Sequence, residues 1–220
     1  YEIDLRLRPS GRKGPVAVSI AALDSYQETE AEPWEHMALS RARPVAGDPA
    51  LGGKIDAIKA RIVTRQRDAK GIGREIARMR ALISQEKAPE GPFDLKLIPG
   101  GIVDIEFIAQ FLTLAHAAAH PDLVGLETLA VIERCGENGL LSKDHAEVLG
   151  EAYRLYSRLT QFLRIVLFDD RHVEEQSEAF KRKLSQAAGL PSYKLLRTEL
   201  LTTARTVREI FEANIAPVKA

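Results

Sequence analysis

Between residues 143 and 169 apolar side chains recur at Val148, Leu149, Ala152, Leu155, Tyr156, Leu159, Phe162, Leu163 and Val166. Spacing of three and four residues puts them on one stripe of one long helix. A stripe of that length must be covered by other helices, as in an antiparallel bundle. The rest of the chain offers those partners. Ser19 caps a helix predicted to reach about Glu30, and a short helix follows over Trp34 to Arg43, ended by Pro44. Asp48-Pro49 is an N-cap followed by proline at the first helical position, opening a helix to about Arg65. Further helices are predicted at about 69–85, 102–119, 125–138, 178–188 and 192–215. Ser142, Ser177 and Ser192 stand at N-cap positions, and Gly139 and Gly189 at C-cap positions. Lys87 to Gly101 is a break rich in proline and glycine.

Only the first residues read differently. Tyr1, Ile3, Leu5 and Leu7 alternate with Glu2, Asp4, Arg6 and Arg8, a period of two that marks a half-buried strand. Pro9-Ser10-Gly11 and Gly14-Pro15 punctuate a loop, and Val16-Ala17-Val18 can return as a second strand. The expected fold class is mainly α, a helical bundle following a short N-terminal β-hairpin. The expected division is residues 1–45, hairpin plus two helices, and residues 46–220, the bundle. A two-stranded hairpin needs more strands or a helix on its apolar face. Because the chain opens at Tyr1 inside a strand, it reads as part of something longer.

Composition narrows the function classes. The chain carries 31 basic and 31 acidic residues in 220, so its formal net charge is zero. A general nucleic-acid or membrane-surface binder carries a basic excess, and neither partner is expected. Gly101 to Ala119 is apolar but broken by Asp104, Glu106 and Gln110, which marks a buried helix and not a membrane span. Cys135 is the single cysteine, so no internal disulfide forms, and a reducing cytoplasmic setting fits.

Four segments could carry chemistry. On a strand, Glu2, Asp4, Arg6 and Arg8 share one face. A carboxylate beside two guanidiniums suits a metal–phosphate site, and equally an exposed sheet face of alternating charge. Gly100-Gly101 opens a helix whose amides could face a phosphate, with Lys96 as an added charge; the same residues suit a tight turn into a buried helix. Asp104 and Glu106 point about 200° apart on a helix, so they do not read as a metal pair. Asp104 complements the helix dipole, while Glu106, Gln110 and Thr113 form a polar seam. In the third segment, Trp34 reads as a packing anchor and His36 as an acid–base group or a packed histidine. Fourth, Lys54 to Arg80 holds nine basic and three acidic residues, a docking face or a solvated one.

The run Ile3-Asp4-Leu5-Arg6-Leu7-Arg8-Pro9, with Gly11 and Gly14-Pro15 after it, resembles a block of the glutamine synthetase adenylyltransferases. Trp34-Glu35-His36-Met37-Ala38-Leu39 with Arg41-Ala42-Arg43, then Val45-Ala46-Gly47-Asp48, then Lys96 with Gly100 to Phe107, resemble further blocks in the same order. The family's enzymes are two-headed, with two nucleotidyltransferase domains of the polymerase-beta type. The resemblance implies that residues 1–45 are the remnant of such a domain, and that AMP passes from ATP to a tyrosine of glutamine synthetase with Mg2+ held by three aspartates. Asp4 matches the third of these. The chain contains no Asp-x-Asp pair, so the other two are expected before Tyr1 and the chain alone is expected to be inactive. Arg6 and Arg8 become candidate phosphate contacts.

The resemblance leaves three functions open. The wording of the Trp34 block and of Val207 to Phe211 is similar to the transferring half. The AMP-removing half shares most of the blocks, and a helical docking module for glutamine synthetase or a PII signalling protein is the non-enzymatic alternative. A uridylyltransferase fits the Trp34 and Ala46-Gly47-Asp48 blocks less well.

Overall fold

The computed structural model describes residues 8–167 and 170–215, the side chains of residues 12 and 170–172 excepted. Among the described residues there are nine α-helices and no strand: α1 (Ile20–Thr29), α2 (Pro33–Ser40), α3 (Pro49–Val63), α4 (Ala69–Glu86), α5 (Ile102–His116), α6 (Thr128–Glu137), α7 (Lys143–Val166), α8 (Glu178–Ala187) and α9 (Tyr193–Asn214). The expected caps form. The side chains of Ser19, Asp48, Ser142, Ser177 and Ser192 each accept a hydrogen bond from a first-turn amide, which satisfies one of the donors that a helix start leaves free. Gly139 and Gly189 take the left-handed φ that ends α6 and α8.

α5 is the centre. Val103, Ile105, Ile108, Ala109, Leu112 and Leu114 are buried on different sides of it, and a helix buried nearly all round must be surrounded. It packs against α2, α4, α6, α7 and α9. The stripe of α7 supplies Leu149, Ala152, Tyr156, Leu159 and Leu163 to the same core. α6 and α7 approach closely at Gly136, where an added Cβ would lie 2.7 Å from Ala146 Cβ. A smaller cluster of Leu39, Ile58 and Ile62, with Ile20 against it, joins α1, α2 and α3. Met37 of α2 reaches into the main core.

The hairpin is not observed. Residues 1–7, its first strand, lie outside the described residues. Val16 to Val18, read as the second strand, is irregular, and Val16 is exposed. The local geometry explains this. Ser10 and Gly11 both take positive φ, and Gly11–Lys13 forms a 3-10 turn. That turn closes on itself through amides of Gly11, Lys13 and Gly14, and among the described residues no backbone pairs with residues 16–18 as a ladder would require. Trp34, expected to anchor packing, is also exposed; α2 turns His36, Met37 and Leu39 inward instead.

Candidate functional site

The residues that follow the Asp4 motif form a compact turn over Arg8–Gly14. Gly11 N donates to Arg8 O at 2.8 Å, Lys13 N to Ser10 O at 3.1 Å, and Arg8 Nε to Gly14 O at 3.3 Å. Gly14 has no room for a side chain, because a Cβ there would sit 2.2 Å from Pro9 O. Asp4 and Arg6 lie outside the described residues, so Arg8 is the one member of the predicted row that the structure places. A hydroxyl joins two of the helices: Tyr26 of α1 donates to Glu35 Oε1 of α2 at 2.7 Å. Burial, and then the Glu35 carboxylate, push the Tyr26 phenol above its ordinary range. Glu35 is itself fixed, since its Oε2 accepts from Glu32 N at 2.9 Å within a reciprocal capping box.

At the start of α5 the amides around Gly100-Gly101 are engaged within the chain. Gly100 N donates to Asp104 Oδ2 at 2.7 Å, Gly101 N to Ile98 O, Ile102 N to Leu95 O, Val103 N to Lys96 O, and Asp104 N to Gly101 O. No amide from Gly100 to Asp104 is left for an anion, and Gly100 and Gly101 are buried. A Cβ on Gly100, at φ +78°, would lie 1.7 Å from Ala204 O of α9. The glycines are there for close approach of backbones. Lys96 is exposed.

Asp104 is completely buried. Arg80 of α4, buried with it, donates Nε to Asp104 Oδ1, while Arg208 of α9 stands 3.3 Å from Oδ2. Arg80 also donates to Ser84 Oγ and to the carbonyls of Leu97 at 3.0 Å and Ile98 at 3.2 Å. The pairing satisfies both charges where water cannot. Sequence reasoning placed Asp104 at the helix dipole but missed these partners. A signal existed: Arg80 continues the buried Ile72–Ile76 spacing of α4.

Of the polar seam, Gln110 and Thr113 are buried, and Glu106 pairs with Arg41 of α2 at 3.0 Å. The basic run is tied inward at several points. Arg61 and Arg65 pair with Asp24 and Glu28 of α1, and Arg67 donates to the carbonyls of Ile62, Val63 and Arg65. His36 is a packed histidine whose Nε2 lies 3.2 Å from Gln27 O. Burial lowers its pKa and that of His116. Burial also pushes the Cys135 thiol up to about 12, which keeps it protonated and inert. A cleft of about 460 Å³ between α2 and α4 is lined by Pro33, His36, Arg67 and Gly71. Among the described residues no three His, Cys, Asp or Glu side chains cluster as a metal would need. No described helix is long and apolar enough to cross a membrane.

Residues 76–215 match the family model described as GlnD PII-uridylyltransferase, and residues 1–68 match that described as glutamate-ammonia ligase adenylyltransferase. Both descriptions are of nucleotidyl-transferring enzymes. The Trp34 and Ala46-Gly47-Asp48 blocks, which fit a uridylyltransferase less well, both lie before the segment that matches the uridylyltransferase model. Similar relatives are named bifunctional glutamine synthetase adenylyltransferase/adenylyl-removing enzyme. That of Rhodopseudomonas palustris (strain BisB5) is 43% identical over 98% of this chain and 22% of its own length. Those of Bradyrhizobium diazoefficiens and Xanthobacter autotrophicus are each 42% identical, over 97% and 96% of this chain and 21% of their own length. The chain belongs to the glutamine synthetase adenylyltransferase family. It spans about a fifth of the length of these curated relatives.

Proposed function

We propose that the chain is part of an enzyme that transfers AMP from ATP to a tyrosine of glutamine synthetase and so regulates nitrogen assimilation in the cytoplasm. The observation that carries this reading is the Asp4-Leu5-Arg6-Leu7-Arg8-Pro9 block, followed by a chain similar to the bifunctional enzymes from end to end. In this reading Asp4 contributes one carboxylate to a Mg2+ site completed by aspartates outside these 220 residues. The ion neutralises phosphate charge when bound. Arg6 and Arg8 contact phosphate oxygens, and the helical body fixes the turn that follows them. With a single member of the carboxylate set, the chain by itself transfers no AMP. Glutamine synthetase is the proposed partner. A PII signalling protein is proposed as a second, because residues 76–215 match a model described by an enzyme of PII.

The test is Asp4→Asn in the full-length protein. Asn keeps the shape and removes the charge, and loss of one electrostatic contact of this kind is worth about 10²–10³ in rate. Adenylyl transfer should fall by that factor with AMP removal intact. Removal lost with transfer spared would place the chain in the removing half, which the double name of the relatives keeps in view. If neither activity changes, Asp4 is a surface charge and the reading fails. A chain that binds glutamine synthetase or PII in a pull-down while Asp4→Asn changes nothing would be a docking module.

A further inference from the structure

We propose that the cleft between α2 and α4 is an adenine-binding site, in which His36 accepts a hydrogen bond from the 6-amino group of the base and Arg67 donates to the ring nitrogen beside it. The choice of occupant rests on the adenylyl chemistry proposed above. The cleft holds about 460 Å³, within the range of about 300–1,000 Å³ common for small-molecule sites. Its apolar walls include Ala31 and Pro33, half-buried, and Ile72, buried. Apolar walls with a few placed polar groups suit a flat ring recognised along one edge.

The polar groups supply that edge. His36 is 9% exposed and lines the cleft. Its Nε2 lies 3.2 Å from Gln27 O. A carbonyl only accepts, so Nε2 carries the ring proton. Burial lowers the pKa of His36, which keeps the ring neutral at pH 7 and leaves a bare lone pair on Nδ1. Nδ1 has no partner among the described residues. An acceptor on a side chain this buried calls for a donor, and the 6-amino group of adenine is one. Guanine places O6 there instead, and two acceptors repel. Arg67 is half-buried in the same cleft. A guanidinium has five N–H groups. Three of those on Arg67 go to the carbonyls of Ile62, Val63 and Arg65, which fixes the fork and leaves Nε–H and one Nη2–H unspent. The other charges at the rim answer one another. Asp68 accepts from the amides of Lys70 at 3.1 Å and Gly71 at 2.9 Å and stands 3.9 Å from Arg74, while Glu75 stands 3.9 Å from Arg78. The cleft therefore offers one unspent acceptor and an unspent donor pair, which match the amino and ring-nitrogen edge of adenine.

The experiment uses the full-length enzyme. Photoactivated 8-azidoadenosine should label residues within 31–36 or 67–75, the two segments that line the cleft, as read by mass spectrometry of the digest. Adenosine should compete for that label at least about tenfold better than guanosine, and about tenfold better than purine riboside, which lacks the 6-amino group. His36→Gln keeps an amide to donate to Gln27 O and removes the acceptor at Nδ1. It should bring adenosine and guanosine within about threefold of each other as competitors. A histidine that only packs would leave the preference unchanged. That result, label confined to other segments, or equal competition by adenosine and purine riboside overturns the proposal. If His36→Gln does not fold, purine riboside against adenosine on the wild-type enzyme decides alone. Asp4→Asn assayed alongside for both activities separates the two readings. If it changes neither while the cleft is labelled with the adenosine preference, the proposed function has failed and the adenine site stands. If it removes transfer and the label falls elsewhere, only the adenine site has failed.

Discussion

Replacing Asp104 by alanine should be among the most destabilising single changes in this chain. Asp104 is 0% exposed and Arg80 2%, so the substitution leaves a guanidinium in the core with carbonyls and a hydroxyl but no anion. It also strips the Gly100 amide of its acceptor and Arg208 of a partner 3.3 Å away. Removing one member of a buried pair costs about 3–5 kcal/mol. An orphaned buried amide is a cost of about 1–3 kcal/mol by itself, but it belongs to the same carboxylate and is not simply added. We expect about 4 kcal/mol against a total stability of about 5–15 kcal/mol. For a chain of this size that is a fall in Tm of roughly 8–16 °C. Urea unfolding followed by circular dichroism at 222 nm measures it. Arg80→Met in the same chain removes the stranded charge, and the double variant should recover a large part of the loss, because apolar replacements of buried pairs are often close to neutral. A cost below about 1 kcal/mol for Asp104→Ala would mean that Arg80 is solvated in place of being paired, and the account of α5 as a charge-locked centre would be wrong.

Two further outcomes are expected. Gly100→Ala should cost roughly 3 kcal/mol or more, since it adds strain at φ +78° and a Cβ 1.7 Å from Ala204 O; Gly189→Ala, at φ +75° with open space around it, should cost only about 1 kcal/mol, and equal costs in urea titrations would refute the close approach. Stability should also fall as pH drops. His36 and His116 are held below their ordinary pKa of 6.5, first by burial, so the unfolded chain takes up protons more readily than the folded one. The contribution from their neutral form is complete above about pH 6.5 and declines as pH falls from there toward the folded-state pKa values. His36→Gln should make that decline in the urea midpoint shallower, and an unchanged slope would remove His36 from the account.

The helical frame was legible because its signals are local. A serine cap and the amide it binds are three residues apart, and the α7 stripe repeats within one helix. The expected ends fall within about three residues of those observed at nearly every helix, the ordinary uncertainty of a helix end. What was not legible depends on partners far along the chain. Asp104 meets Arg80 and Arg208 across 24 and 104 residues, and nothing near Asp104 announces which cation answers it. The strand reading of Val16 to Val18 failed for the same reason. Two valines around an alanine become a strand only beside a ladder, and the local turn chemistry at Ser10, Gly11 and Gly14 bends the backbone another way. Trp34 shows that a large apolar residue in a short helix need not be the one that packs, since α2 buries His36 and Met37.

Asp104 and Glu106 complete the argument about how the pieces are held. Two residues apart on a helix, they point to different neighbours, and so they could never have chelated one ion. Instead they tie α5 in two directions of unequal strength. Asp104 reaches α4 through a pair with Arg80 sealed from water, where breaking it is expensive, and α9 through the partly exposed Arg208. Glu106 reaches α2 through Arg41, and the Arg41 side chain is 45% exposed, so that pair is worth at most about 1 kcal/mol. The ties of α1 to α3, Arg61 and Arg65 with Asp24 and Glu28, are exposed or half-exposed as well. The small core of Leu39, Ile58 and Ile62 and the reach of Met37 and Val63 into the main core carry most of the remaining attachment. The part of the chain next to the candidate chemistry is therefore joined by the less costly contacts, and the part far from it by the costly ones. A local opening that frees the Arg8–Gly14 turn with α1 and α2 requires less free energy than one that separates α4, α5 and α9.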